Sequence, residues 1–131
     1  MIPNWIAVGL GGFAGAVLRY VLSGVIQRRF PAFVPAGTLA VNIIGCFVIG
    51  IAMTWFSGRG EHLSAWRFFL VTGVLGGFTT FSAFGYEFVT LLHVGESRAA
   101  AWTVLGHLLL CFAAVELGRL VALRLFATPG L

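Results

Sequence analysis

The chain alternates four long apolar runs with short segments that carry glycine, proline and charged residues. A helix of about 20 apolar residues is long enough to cross the hydrocarbon core of a bilayer, and each of the four runs reaches that length. We therefore predict an all-α integral membrane protein, a single domain of residues 1–131 with four transmembrane helices. The predicted spans cover residues 5–26, 36–56, 67–92 and 99–126.

The third apolar run contains a motif that should interrupt its helix. Gly76 and Gly77 are followed by Thr79, Thr80 and Ser82 within apolar sequence. Glycine weakens a helix, and a backbone group freed in a membrane costs several kcal/mol unless protein or a wet cavity satisfies it. Broken membrane helices present free carbonyls to cations and free amides to anions. We predict a third helix that is broken near its middle, and an ion site and close helix packing are the alternative explanations.

Composition also places the chain in a membrane. Hydrophobic residues make up 60% of the sequence and charged residues only 9%, which is too little charge to cover a soluble fold. The eight basic residues are all arginines that mostly flank the apolar runs, so lipid headgroups rather than nucleic acid are the expected partners. Cys46 and Cys111 lie in separate apolar runs, and we expect reduced thiols.

The first two predicted spans contain small and polar residues that bear on function. Gly11 and Gly15 form a small-residue face that favours close helix packing. Arg19 lies inside the first span, where it either snorkels to the headgroups or places a positive charge at an aqueous mouth. In the second span, Thr38 and Asn42 share a helical face. The Asn42 amide could hydrogen-bond a neighbouring helix or donate to a passing anion, and the sequence leaves both alternatives open.

The last two predicted spans carry further candidates. Phe81 and Phe84 lie on one face of the third span, either as a packing surface or as a lining. Glu87, near the end of that span, could snorkel, pair with an arginine or line a mouth. The fourth span has polar residues at four-residue intervals, namely Thr103, His107 and Cys111. One histidine and one cysteine fall short of a tetrahedral metal site.

The loop arginines give almost no preferred orientation in the membrane. Four spans place three or four arginines on one side and three on the other. The first side has Arg59, Arg67 and Arg124, with Arg119 if it reaches the surface, and the second has Arg28, Arg29 and Arg98. Without a charge bias, copies can insert in both directions. Two opposed copies could pair about a two-fold axis in the membrane plane. Because four helices do not readily enclose a pore, we predict an antiparallel, dual-topology homodimer.

On these motifs the chain resembles the Fluc (CrcB) family of fluoride channels. The resemblance rests on GTLAVNIIG at residues 37–45, on GGFTTFSAF at residues 76–84 and on the Leu-Arg-Tyr segment at residues 18–20. It implies a multi-pass protein of a microbial plasma membrane that exports fluoride passively. It also implies a dual-topology homodimer with two antiparallel pores and a structural sodium ion at its centre.

The resemblance assigns roles to particular residues. The backbone carbonyls of Gly76 and Thr79, with the same pair from the partner, would hold the sodium ion. Phe81 and Phe84 would line the fluoride path with Asn42. Further candidates for the pore or its vestibule are Arg19, Thr38, Thr80, Ser82, Glu87, Thr103, His107 and Cys111. Among these, the histidine and the cysteine depart from the hydroxyl residues that the family carries on its fourth span.

Three other classes of protein compete with a channel: a small multidrug antiporter, a membrane enzyme and a purely structural membrane subunit. A small dual-topology multidrug antiporter would need an ionisable carboxylate in mid-membrane, typically in the first span, to carry its protons. The first span of this chain has Arg19 and no acid. A membrane enzyme would need paired carboxylates, a Ser–His–Asp set or a metal-ligand cluster, and the sequence has none at a usable spacing. We therefore expect no enzymatic activity.

Overall fold

The computed structural model of the chain describes residues 3–31, 35–57, 59 and 64–126. These residues form helices and turns, with no strand among them. Helix α1 is Asn4–Arg29 and helix α2 is Ala36–Phe56. Helix α3 covers residues 64–78, helix α4 is Phe81–His93 and helix α5 is Ser97–Phe126. The predicted all-α class is confirmed for the described residues.

Helix α3 changes its winding along its length. It begins as an α-helical turn at Ser64–Arg67, continues with π-helical hydrogen bonding over Phe68–Leu75 and ends with Gly76–Phe78. Such π-helical stretches are rare, and they often occur next to functional sites. The predicted third span, residues 67–92, therefore corresponds to two helices, α3 and α4, that meet at a break.

Three helical stretches are long and apolar enough to cross a membrane: Asn4–Arg29, Ala36–Phe56, and Ser64–His93, which joins α3 and α4. Large apolar side chains are also exposed, among them Trp5 at 74% and Phe13 at 74%. Exposed surface of this kind is suited to contact with lipid chains. The second predicted span has the observed bounds of α2. The fourth corresponds to α5, which is 30 residues long, and its crossing of the membrane stays a prediction.

Glycines bring α1 and α3 into backbone contact. Gly11 and Gly15 are buried on α1, and a Cβ atom added to Gly15 would meet the carbonyl oxygen of Val74. On α3, which faces α1, a Cβ atom added to Gly77 would meet the carbonyl oxygen of Gly12. The predicted small-residue face of the first span is thus confirmed as a close packing surface.

A second glycine-mediated contact joins α2 to α5. A Cβ atom on Gly50 would meet the carbonyl oxygen of Val115, and Gly106 lies near the side chain of Leu39. Because early residues of α2 face early residues of α5 and late residues face late ones, the two helices run parallel. Helix α4 then packs on α5, after a turn in which Gly95 has a φ of 82° that favours glycine.

The contact of α1 with α3 predicts different outcomes for two glycine substitutions on α1. Gly15→Ala should destabilise the protein by about 1–3 kcal/mol, because the added methyl group meets backbone that cannot easily move. Gly9→Ala is the matched control, since a Cβ atom there meets nothing within 4 Å. Thermal unfolding in detergent, followed by the folded fraction in size-exclusion chromatography, measures both variants. Equal melting temperatures for the two would contradict the packing described here.

Candidate ion site at the broken helix

The helix break consists of Thr79 and Thr80, which join α3 to α4 in an extended conformation. Thr79 has φ −86° and ψ 156°, and Thr80 has φ −152° and ψ 117°. The Thr79 amide and hydroxyl both donate to the carbonyl oxygen of Leu75, each at 3.0 Å. The Thr80 hydroxyl accepts from the Ala83 amide at 3.2 Å and so caps the start of α4. The prediction of a helix broken near its middle is confirmed.

Asn42 satisfies the backbone of the break from the facing helix. Its Nδ2 donates to the carbonyl oxygen of Thr80 at 3.0 Å, and the Thr80 amide donates to Asn42 Oδ1 at 2.8 Å. Both side chains are buried, so the pair replaces two hydrogen bonds that a continuous helix would have made. Of the two roles left open for Asn42, the hydrogen bond to a neighbouring segment is present, and the second Nδ2 hydrogen is not used by this pair.

The break leaves other backbone oxygens free. The carbonyl oxygens of Gly76 and Thr79 receive no hydrogen bond from the described residues. Gly76 is exposed, and a Cβ atom there would approach only the Val71 carbonyl oxygen, at 3.9 Å. Carbonyl oxygens are ligands for hard cations, which need several of them. Among the described side chains, no group of three His, Cys, Asp or Glu could hold a metal ion.

A cavity of about 420 Å³ lies beside the break. Its walls combine many apolar side chains with a few polar groups, as is typical of ligand sites. Eight of the predicted residues line it: Asn42, Gly76, Thr79, Thr80, Phe81, Phe84, His107 and Cys111. The sequence did not indicate the remaining apolar walls, such as Leu75 and Phe112. These residues look like ordinary lipid-facing or core positions in a helix pattern, and only the packing of helices brings them to the cavity.

Aromatic rings form one side of the cavity. The Phe81 and Phe84 rings are 5.3 Å apart in an edge-on arrangement, and the Phe84 ring lies 4.3 Å from the His107 ring. Phe81 is 82% exposed, whereas Phe78 is buried. The rings of Phe81 and Phe84 therefore both line the cavity, as predicted, whereas Phe78 does not.

Glu87 bonds to a threonine on α2. The Thr38 hydroxyl donates to Glu87 Oε1 at 2.5 Å, and Glu87 Oε2 is buried without a described partner. Pairing with an arginine, one of the three alternatives for Glu87, is therefore not observed among the described residues. Arg19 is half-buried on α1 and does not line the cavity, so the structure leaves its role as a prediction.

The polar stripe of α5 is only partly directed at the cavity. The Thr103 hydroxyl donates within its own helix to the Ala99 carbonyl oxygen at 2.9 Å. His107 and Cys111 line the cavity, as does Cys46, and both cysteines are free thiols as expected. Ser82 is exposed, and its hydroxyl lies 3.2 Å from that of Thr80.

A polar break inside a membrane helix, next to a cavity, is characteristic of membrane proteins that handle ions. The family model for CrcB-like protein, Camphor Resistance (CrcB), matches residues 6–119. The chain is 41% identical over 128 residues to the fluoride-specific ion channel FluC of Opitutus terrae, covering 96% of this chain and 97% of that protein.

Two further relatives extend this similarity. The protein of the same name from Paracoccus denitrificans is 44% identical over 128 residues, covering 97% of this chain and 100% of the relative. Fluoride-specific ion channel FluC 3 of Methanosarcina barkeri is 45% identical over 116 residues, covering 88% of this chain and 87% of the relative. The chain therefore belongs to the CrcB-like family of multi-pass membrane proteins, as the sequence motifs predicted.

The hydrogen-bond pair between Asn42 and Thr80 predicts a stability effect. Asn42→Ala should destabilise the protein by about 2–4 kcal/mol, because a buried amide and a buried carbonyl each lose a partner worth about 1–3 kcal/mol. Thr54→Ala is the control, since the Thr54 hydroxyl bonds only within its own helix, to the Gly50 carbonyl oxygen. Hydrogen exchange at the Thr80 amide gives the local readout. Unchanged protection of that amide in Asn42→Ala would show that the pair does not hold the break.

Proposed function

We propose that this protein is a fluoride-selective ion channel that exports fluoride passively and so lowers its concentration in the cytoplasm. One observation carries the proposal: relatives named fluoride-specific ion channels match this chain over nearly its whole length at 41–45% identity. The cavity beside the break supports it, because a channel for a small anion needs fixed hydrogen-bond donors within the membrane. Passive conduction requires no reacting group, and the proposed activity is transport rather than catalysis.

The chemistry of the cavity suits a small, strongly hydrated anion. The edges of aromatic rings carry partial positive charge, and Phe81 and Phe84 are arranged edge-on to each other. The unused Nδ2 hydrogen of Asn42 and the hydroxyl of Thr80 add polar donors in the same cavity. Together these groups replace part of the water that fluoride loses on entering the membrane. We place Ser82 and Thr38, which lie outside the cavity lining, in the vestibule of the proposed path.

The functional unit that we propose is an antiparallel homodimer of four-span subunits. A single chain leaves Phe81 82% exposed and the Gly76 carbonyl oxygen without a described donor. A free carbonyl that faces lipid costs several kcal/mol, whereas a second copy placed there covers it. Helix α5 supports the four-span arrangement, since it packs along α2 in parallel and its 30 residues exceed the bilayer core.

A sodium ion at the dimer centre completes the proposal. The carbonyl oxygen of Gly76 belongs to the last turn of α3 and that of Thr79 to the break itself, and a two-fold axis would bring four such oxygens together. Oxygen ligands without charge suit a monovalent hard cation that has a structural role. Positive charge at this place would also favour anions in the neighbouring paths.

Efflux from liposomes tests the channel directly. Liposomes that hold the purified protein should lose fluoride quickly and chloride slowly under a potassium diffusion potential. Phe81→Ile should lower fluoride flux by about tenfold, because losing an aromatic edge contact of about 1.4 kcal/mol corresponds to that factor. Phe13→Ile is the control, since Phe13 is similarly exposed, at 74% against 82% for Phe81, but lies on α1 and does not line the cavity.

The same liposomes distinguish the rival class. Absence of fluoride flux, with drug uptake driven by a pH gradient, would contradict the channel and favour the small multidrug antiporter. The structure gives that antiporter little support, because no carboxylate of the described residues lines the cavity and Glu87 accepts a hydrogen bond from Thr38. If that outcome were observed, Glu87 would be the first residue to replace, because an antiporter needs a carboxylate to carry its protons.

Two readouts test the dimer and its cation. The purified protein should remain dimeric in sodium salts and dissociate more readily when a large organic cation replaces sodium. Thr79→Ser should behave like the unsubstituted protein, because the proposed ligand is the backbone carbonyl.

A C-terminal reporter should appear on both sides of the membrane in cells. A reporter on one side only would contradict the antiparallel arrangement, and a dimer that is indifferent to sodium would contradict the cation site.

A further inference from the structure

His107 is the one cavity-lining residue with both an ionisable ring and an unpartnered polar atom among the described residues. The residue is buried, with 8% of its surface exposed. Its Nε2 has no hydrogen-bond partner among the described residues, while its ring packs 4.3 Å from the Phe84 ring. An unpartnered buried nitrogen is costly, which indicates that something absent from the single chain satisfies it.

The hydrogen bond at the other nitrogen fixes the tautomer of the neutral ring. His107 Nδ1 lies 2.8 Å from the carbonyl oxygen of Thr103. A carbonyl oxygen can only accept, so Nδ1 must carry the hydrogen of this bond. The neutral imidazole therefore has a bare lone pair at Nε2, which accepts hydrogen bonds and repels an anion. Only the imidazolium has an N–H group at Nε2 that can donate to one.

We propose that His107 is a protonation-dependent binding site for fluoride beside Phe84, so that the ion is held there only when Nε2 carries a proton. This inference rests on the proposed function, because it concerns the same cavity. Nε2 takes a proton from a hydronium ion and leaves water, fluoride accepts a hydrogen bond from the Nε2–H group, and the ion leaves as F⁻ with no covalent bond to fluoride made or broken. Fluoride is the halide best suited to this position, since it is the smallest and the strongest hydrogen-bond acceptor.

The surroundings of His107 contain few other titratable groups. On its own helix, Cys111 lines the same cavity, and from α2 Cys46 does so. Helix α4 contributes Glu87, one turn beyond Phe84, and its Oε1 is held by the Thr38 hydroxyl. The lining contributed by α3 contains no titratable side chain. His107 is thus the one imidazole among the described side chains that line the cavity, and Glu87, outside that lining, is the acidic residue on α4.

The site predicts a steep pH dependence of fluoride binding. Above the titration midpoint of His107, the protonated fraction falls about tenfold per pH unit, and the apparent affinity for fluoride falls with it. Fluoride efflux at low fluoride concentration should therefore slow by up to about tenfold per pH unit as the pH on both sides of the membrane is raised above the titration midpoint of His107.

Two variants separate this effect from other sources. His107→Gln supplies an amide donor that does not titrate, so its fluoride flux should be independent of pH. His93→Gln, at the exposed end of α4, is the matched control and should keep the pH dependence of the unsubstituted protein. A flat profile for the unsubstituted protein, or an unchanged slope in His107→Gln, would overturn the inference.

A binding measurement distinguishes this inference from the channel itself. Because linkage is reciprocal, saturating fluoride should shift the titration of the His107 ring to higher pH in ¹⁵N NMR of the full chain, and chloride should not. A protein that shows this shift but conducts no fluoride would retain the site and contradict the proposed function. A conducting protein whose His107 titration is indifferent to fluoride would retain the channel and overturn the site.

Discussion

The structure depends on the rule that polar backbone groups inside a membrane must find hydrogen-bond partners. At Thr80 the third span gives up the backbone hydrogen bonds of a continuous helix, and Asn42 replaces two of them through one side chain. An apolar residue at position 42 would leave the amide and the carbonyl of Thr80 unpaired. The break is therefore part of the folded structure, and a residue from another helix stabilises it.

Close helix packing makes this arrangement possible. Glycines let α1 touch α3, and Gly45 on α2 lies directly against the methyl group of Thr79. A larger residue at position 45 would push the break away from α2 and take Thr80 out of reach of Asn42. The many glycines of the chain are thus not simply flexible positions. Several of them set the distances between helices on which the polar contacts of the cavity depend.

Much of this architecture could be predicted from the sequence. The bounds of α2, the break after Gly77 and the packing face of Gly11 each follow from local composition, because length, hydropathy and side-chain size are local properties. The partners of polar residues could not be predicted. The bond of Glu87 to Thr38 joins residues 49 positions apart, and the helix register that aligns them is set by packing between helices.

The cavity likewise has features that follow from local sequence and features that depend on packing between helices. The sequence named most of its polar lining but not the apolar walls, and it could not say which nitrogen of His107 faces a partner. That orientation follows from the carbonyl of Thr103 on the preceding turn of α5, to which Nδ1 donates. Family membership supports fluoride as the ion, while the open side of the cavity and the free carbonyl oxygens support a second copy of the chain.

The most direct test of this account is an experimental structure of the protein in a lipid bilayer with sodium fluoride. The account predicts two antiparallel copies, an intact pair between Asn42 and Thr80, and a cation that contacts the Gly76 and Thr79 carbonyl oxygens of both. Fluoride should lie beside the rings of Phe81 and Phe84. A single copy whose break is closed by its own hydrogen bonds, with no ion at these carbonyls, would contradict the central claim.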